Sequence, residues 1–142
     1  MYKPYYTGVL LPRLLALDSR VFFNVSYMFN RNILGQHRFK VGMTHVEDLL
    51  FYLLLSIQKN IKYGYIAESI YIYRSGNSSA MMDLDGLEEG YIIFLQEIKG
   101  KISNLAYFYL KVKILKIMFL SWLSHKELIL GIKSLWHLLV QK

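Results

Sequence analysis

Thr44-His45-Val46-Glu47 is the stretch that most limits what this chain can become. A threonine followed three residues later by a glutamate, directly ahead of an apolar run, fits a capping box. The hydroxyl takes a backbone N–H of the first turn and the carboxylate reaches back to the cap. The spacing predicts a helix from about Val46, with Leu50, Leu53, Leu54 and Ile57 on its apolar side and Asp48, Tyr52, Ser56 and Lys59 on the other. Asp48 then falls in the first turn, where the positive end of the helix dipole favours an ionised carboxylate. Beyond the helix, Lys59-Asn60 and Gly64 mark a turn, and Tyr65–Ala67 and Ile70–Tyr73 have the β-branched and aromatic content of short strands. The second strand ends at Arg74 and gives way to the polar loop Ser75-Gly76-Asn77-Ser78-Ser79. An acid at a helix start and an arginine at a strand end would then face one cleft in an α/β fold.

The order Phe39-x-x-Gly42, Glu47-Asp48 and Tyr73-Arg74 followed by a small-residue loop resembles the second half of a family 2 glycosyltransferase, over roughly Val21 to Met81. The resemblance implies a partial GT-A-like mixed sheet with flanking helices. It also implies inverting transfer of a sugar from a nucleotide-sugar donor to a glycan or polysaccharide acceptor. That chemistry needs a base for the acceptor hydroxyl, cations for the departing diphosphate and a pocket that aligns the two substrates. On the family pattern Asp48 is the base, with Glu47 beside it. Arg74 and His45 would help hold the diphosphate, Tyr73, Ser75, Asn77 and Ser78 would line the acceptor side, and Arg31 matches an arginine ahead of the acidic pair. The enzymes it resembles carry a nucleotide-binding half upstream, with a divalent Mg or Mn site. The chain is expected to lack that half, as a fragment, a truncated product or one part of a split enzyme, and to be inactive alone, with no metal site of its own. Asp83-Leu84-Asp85 lies downstream of Glu47-Asp48, the wrong side for the family's metal motif, and reads as helix-start chemistry instead. Plainer roles stand beside these: Glu47 as a cap, Asp48 as a complement to the dipole, Arg74 in an ion pair with Glu68 or Glu47.

The remainder of the chain is read from its punctuation. Val9–Leu17 fits a brief helix with Pro12 near its first turn, ended by Asp18-Ser19. Val21–Phe29 alternates as a half-buried strand does, and Asn30–Leu34 makes a short helical segment that Gly35 closes. Asp85-Gly86-Leu87-Glu88 offers a second capping box, ahead of an apolar face of Tyr91, Phe94, Leu95 and Ile98. Residues 104–123 approach the length of a membrane span, but Lys111, Lys113 and Lys116 lie in the middle, so a surface or groove helix fits better. Lys126–Val140 reads as an amphipathic helix with Leu128, Ile132, Leu135 and Leu139 on one side and Lys126, Lys133, Ser134 and His137 on the other. Residues 1–100 are thus expected to form the glycosyltransferase-like domain and 101–142 a basic helical tail.

Charge separates those two parts. Residues 1–101 carry 11 Lys and Arg against 9 Asp and Glu (net +2), and residues 102–142 carry 6 against 1 (net +5), giving the whole chain's +7. Because the tail's charges are interleaved with Leu, Ile, Phe and Trp, an anionic membrane surface is a better partner than nucleic acid, for which no stacking motif is present. Trp122 and Trp136 would then sit near the headgroups; the tail as a helical pair packed on the domain is an equal alternative. The hydrophobic fraction of 54%, with 12 Tyr and 8 Phe, fits one tightly packed domain or an apolar partner. The absence of cysteine excludes disulfides and thiolate metal sites. No signal peptide opens the chain, so the expected location is cytoplasmic, peripheral on the cytoplasmic membrane face, and the sequons at Asn24 and Asn77 are read as coincidence. A second function stands beside transfer: a non-catalytic membrane-peripheral or partner-binding module.

Overall fold

The run Leu49–Leu55 is apolar or aromatic at every position, and a helix built from it has no face to give to water. In a computed structural model, which describes residues 7–18, 28–64 and 82–140, this run forms the middle of α3 (Glu47–Lys59). Leu49, Leu50, Phe51, Tyr52, Leu53, Leu55 and Ser56 are all buried. The two-sided helix expected from the spacing is therefore corrected. Tyr52 and Ser56 are inside, and Leu54 and Ile57 are only half-buried.

In chain order the elements are β1 (Gly8–Val9), α1 (Leu10–Leu15), α2 (Arg31–Leu34), α3, β2 (Lys62–Tyr63), α4 (Leu84–Ile98), α5 (Asn104–Ser124) and α6 (Leu128–Val140). Among the described residues 68% are helical and 4% are in strands. The strands form one antiparallel pair, Gly8 opposite Tyr63 and Val9 opposite Lys62. This overturns the α/β expectation of a partial GT-A-like mixed sheet with flanking helices: the described chain is mostly helix. The strands expected at Tyr65–Ala67 and Ile70–Tyr73, and residues 21–27 of the one expected at Val21–Phe29, lie outside the described residues. Met28 and Phe29 are described and are not in a strand.

Two compact units are present, one of residues 1–41 and 48–77 and the other of residues 42–47 and 78–142. In the first, α1 carries Pro12 in its opening turn, where the missing N–H costs no helical bond. The Leu10 N–H donates to the Ile61 carbonyl at 2.8 Å, extending the β1–β2 pair by one bond. Leu10, Leu14 and Ile61 are buried. Asn30 caps α2 by accepting the Asn32 N–H, and Gly35 ends it at a φ of 52°. Aromatic rings gather on α3, with Phe39 stacked on Phe51 at 4.3 Å between centroids and Phe29 stacked on Tyr52 at 5.4 Å. His37 lies against Phe51 as well, with Nε2 2.9 Å from the Phe51 carbonyl oxygen. A carbonyl only accepts, so Nε2 carries the proton.

The second unit is helical throughout its described elements. Asp83 caps α4, its Oδ1 accepting the Gly86 N–H at 3.0 Å, and Tyr91, Phe94, Leu95 and Ile98 are buried as their spacing predicts. Ser103 caps α5 through the Ala106 N–H. Leu110, Ile114, Met118 and Trp122, each one turn from the next, form the buried line of α5. Residues 125–127 return the chain, with Lys126 at a φ of 62°, and α6 runs back along α5. Gly131 lies against Trp122 near the turn, and Lys111 Nζ donates to the Leu139 carbonyl at the far end. Among the described residues no helix is long and apolar enough to cross a membrane.

The packing of α6 corrects its expected faces. Gly131, Ser134 and Leu138 are the buried line, and Leu128, Ile132 and Leu139 are exposed. A Cβ at Gly131 would stand 3.2 Å from the Trp122 Cβ and 3.4 Å from a Phe119 ring carbon, so absence of a side chain lets the helices meet. Closeness of approach, rather than side-chain hydrophobicity, chose the inner face.

Candidate functional site

The acidic pair lies at a break in the backbone. Val46 has a φ of 63°, a left-handed conformation that a β-branched residue seldom adopts, and α3 begins immediately after it at Glu47. With Val46 so placed, Thr44 cannot serve as the cap of a continuous first turn. Its hydroxyl lies 3.0 Å from the His45 Nδ1. The expected Thr44–Glu47 box therefore gives way to a later helix start.

Asp48 sits in the first turn as expected. It is half-buried, and its Oδ1 accepts the Leu49 N–H at 2.6 Å. Its charge reaches one turn along the helix: the Tyr52 phenol holds its proton above the ordinary value of 10.0, first because burial disfavours the phenolate and second because the Asp48 carboxylate repels it. Glu47, half-buried, begins α3.

His45 is placed in the interior of the second unit. It is 8% exposed, with Nε2 3.7 Å from Asp83 Oδ2. Two glycines one turn apart on α4 make room for it. A Cβ at Gly86 would stand 2.6 Å from the His45 Cε1, and one at Gly90 would stand 2.6 Å from the His45 carbonyl oxygen. The Gly86-x-x-x-Gly90 spacing was the sequence signal for this seat, and it passes unnoticed beside the apolar periodicity of the same helix. Arg31 is exposed on α2. Arg74, Tyr73, Ser75, Asn77 and Ser78 lie outside the described residues.

Asp83 has little to offer a hard cation such as Mg or Mn. One carboxylate oxygen accepts the helix-start N–H of Gly86 and the other faces His45. Among the described residues no group of three or more His, Cys, Asp or Glu is arranged to hold a metal ion. A separate polar tie joins α6 to α4, where His137 Nδ1 lies 3.0 Å from Glu88 Oε1. Compared with models of known families, with curated proteins and with solved structures, the chain matches none.

Proposed function

We propose that this chain supplies the acceptor side of an inverting, nucleotide-sugar-dependent glycosyltransferase that extends a glycan or polysaccharide, with Asp48 as the general base. The observation that carries the reading is the place of Asp48: a half-buried carboxylate in the first turn of α3, next to Glu47. A carboxylate so held accepts the proton from an acceptor hydroxyl as that oxygen attacks the anomeric carbon. The bond to the nucleotide diphosphate breaks as the new glycosidic bond forms, and the diphosphate leaves with the electron pair. Arg74 is the cation proposed for that leaving charge, and Tyr73, Ser75, Asn77 and Ser78 the groups proposed for the acceptor. This chemistry requires a base, a cation and an aligned hydroxyl, and it stands without the sheet that the resemblance implied. On this reading the work belongs in the cytoplasm, where nucleotide sugars are made, and the basic, apolar stretch 102–142 supports a position at the membrane face.

The test compares Asp48→Asn with Glu47→Gln in the enzyme completed with a nucleotide-binding half, using a panel of nucleotide sugars and glycan acceptors. Loss of a general base costs about 10²- to 10⁴-fold in turnover, so Asp48→Asn should fall by that factor with acceptor affinity kept, and Glu47→Gln should retain most of its rate. The chain alone is expected to turn over little, so the rates are compared in that completed enzyme; equal rates there for wild type and Asp48→Asn would refute the assignment.

A further inference from the structure

The side of α6 that faces away from α5 is apolar. Ile129 is 71% exposed and Trp136 67%, and Ile132, Leu139 and Val140 are each more than half exposed. At 100° per residue these side chains share one side of the helix, opposite the buried line of Gly131, Ser134 and Leu138. The outer side of α5 repeats the pattern with Leu105, Phe108, Tyr109, Val112 and Leu123, opposite its own buried line. Contiguous apolar surface of this kind marks an interaction site. The inner contact of α6 is the reverse, since Ser134 Oγ and Trp122 Nε1 are buried with no hydrogen-bond partner. On α6 two of the three buried residues, Gly131 and Ser134, are small, and they meet the large buried line of α5, so the bulk of the apolar side chains of α6 is left outside.

The charges on the hairpin identify the medium. Lys116, Lys126 and Lys133 are exposed, and the only acidic residue in 102–142 is Glu127. A second copy docking through this surface would set lysine against lysine. An anionic bilayer offers phosphates at the level the lysine amines reach and acyl chains at the level of the isoleucines, while Trp136 is of the type that settles between the two. No described helix is long and apolar enough to cross a membrane, and a helix with one apolar side suits a lateral contact.

We propose that the outward face of α6 is a docking surface for an anionic lipid bilayer, the helix lying flat in the interface with Ile129, Ile132 and Leu139 among the acyl chains. This deepens the membrane placement proposed above by naming its face and its lipid class.

The experiment uses the full chain with vesicles of phosphatidylcholine alone and of phosphatidylcholine with phosphatidylglycerol. The chain has 2 Trp, so a Trp122→Phe background leaves Trp136 as the single reporter. The chain should co-sediment with the anionic vesicles and not the zwitterionic ones, with Trp136 emission moving to the blue and the shift reversed by salt. Ile129→Ser with Ile132→Ser should weaken partitioning at least about tenfold, and each of Lys116→Gln, Lys126→Gln and Lys133→Gln about fivefold. The isoleucines and lysines replaced are exposed, Trp122 is buried and takes the apolar phenylalanine, and unchanged circular dichroism confirms that every variant folds. Absence of co-sedimentation, equal binding to both vesicle types, or sedimentation with Trp136 emission unmoved would overturn the proposal. A blue shift that grows with protein concentration before lipid is added would assign the face to self-association instead. Asp48→Asn should bind vesicles as wild type does, so failure of the docking surface and failure of the transfer chemistry are read separately.

Discussion

Gly90→Ala tests how the approach to the acidic pair is seated. In an ordinary helix interior this substitution stabilises by about 1 kcal/mol, because alanine loses less backbone freedom on folding than glycine does. Here the new Cβ would stand 2.6 Å from the His45 carbonyl oxygen and 3.0 Å from its carbonyl carbon. These are backbone atoms and no rotamer change moves them, so either residues 44–46 lift or α4 shifts. Overpacking of that kind costs about 1–3 kcal/mol, and a contact this close belongs near the upper end. The net is a loss of about 1–2 kcal/mol. At about 2–4 °C per kcal/mol for a chain of this length, Tm should fall by about 2–8 °C. Gly86→Ala is the control on the same helix. Its nearest contacts are side-chain atoms of Asp83 and His45, which have rotamer freedom, so its loss should be smaller than that of Gly90→Ala. Urea denaturation of both variants decides the matter. A stabilised Gly90→Ala, or a loss no greater than that of Gly86→Ala, would show that residues 44–46 do not rest on α4.

Alkaline titration tests the link between Asp48 and Tyr52. Tyr52 is raised above 10.0 in the folded chain, so its contribution to stability is complete below pH 10 and is lost as pH rises through the folded-state value. Tyr52→Phe should flatten that alkaline decline. Asp48→Asn should bring the Tyr52 phenol down by removing the repulsion yet leave it above the ordinary value, because burial is the larger cause. Tyr107, raised by burial alone, should not move. Tyrosinate absorbance reports all three, and an unmoved Tyr52 in Asp48→Asn would sever the link. At the α5–α6 contact, Ser134→Ala removes a buried hydroxyl that has no partner and should stabilise the chain by about 1 kcal/mol. A loss measured by thermal unfolding would mean the hydroxyl is satisfied.

The elements whose limits were legible in the sequence are those set by local chemistry. Pro12 placed the start of α1, Asn30 and Gly35 bracketed α2, and the spacing of Tyr91, Phe94, Leu95 and Ile98, with Glu88 and Glu89 ahead of them and Gln96 and Glu97 between the last two, gave the buried face of α4. Faces failed where the pattern held no contrast. From Leu49 to Leu55 every residue is apolar or aromatic, so periodicity names no inner side, and burial on α3 includes Tyr52 and Ser56. On α6 the contrast was present and misleading: Gly131 admits α5 more closely than any isoleucine could, and the large residues were turned outward. The capping pattern at Thr44–Glu47 was met in composition and broken by one backbone angle, at Val46. Asp48 was legible in the first turn because it needs only the helix start. His45 was not, because its surroundings are made by glycines on α4, some forty residues later in the chain.

Asp48 is proposed to take the proton of an acceptor hydroxyl through its carboxylate. The measurement closest to that step is a crystal structure with an acceptor glycan bound. A carboxylate oxygen of Asp48 should lie within about 2.6–3.2 Å of one sugar hydroxyl, with that hydroxyl open to a donor. An acceptor seated away from α3, or Asp48 turned from every sugar oxygen, would contradict it.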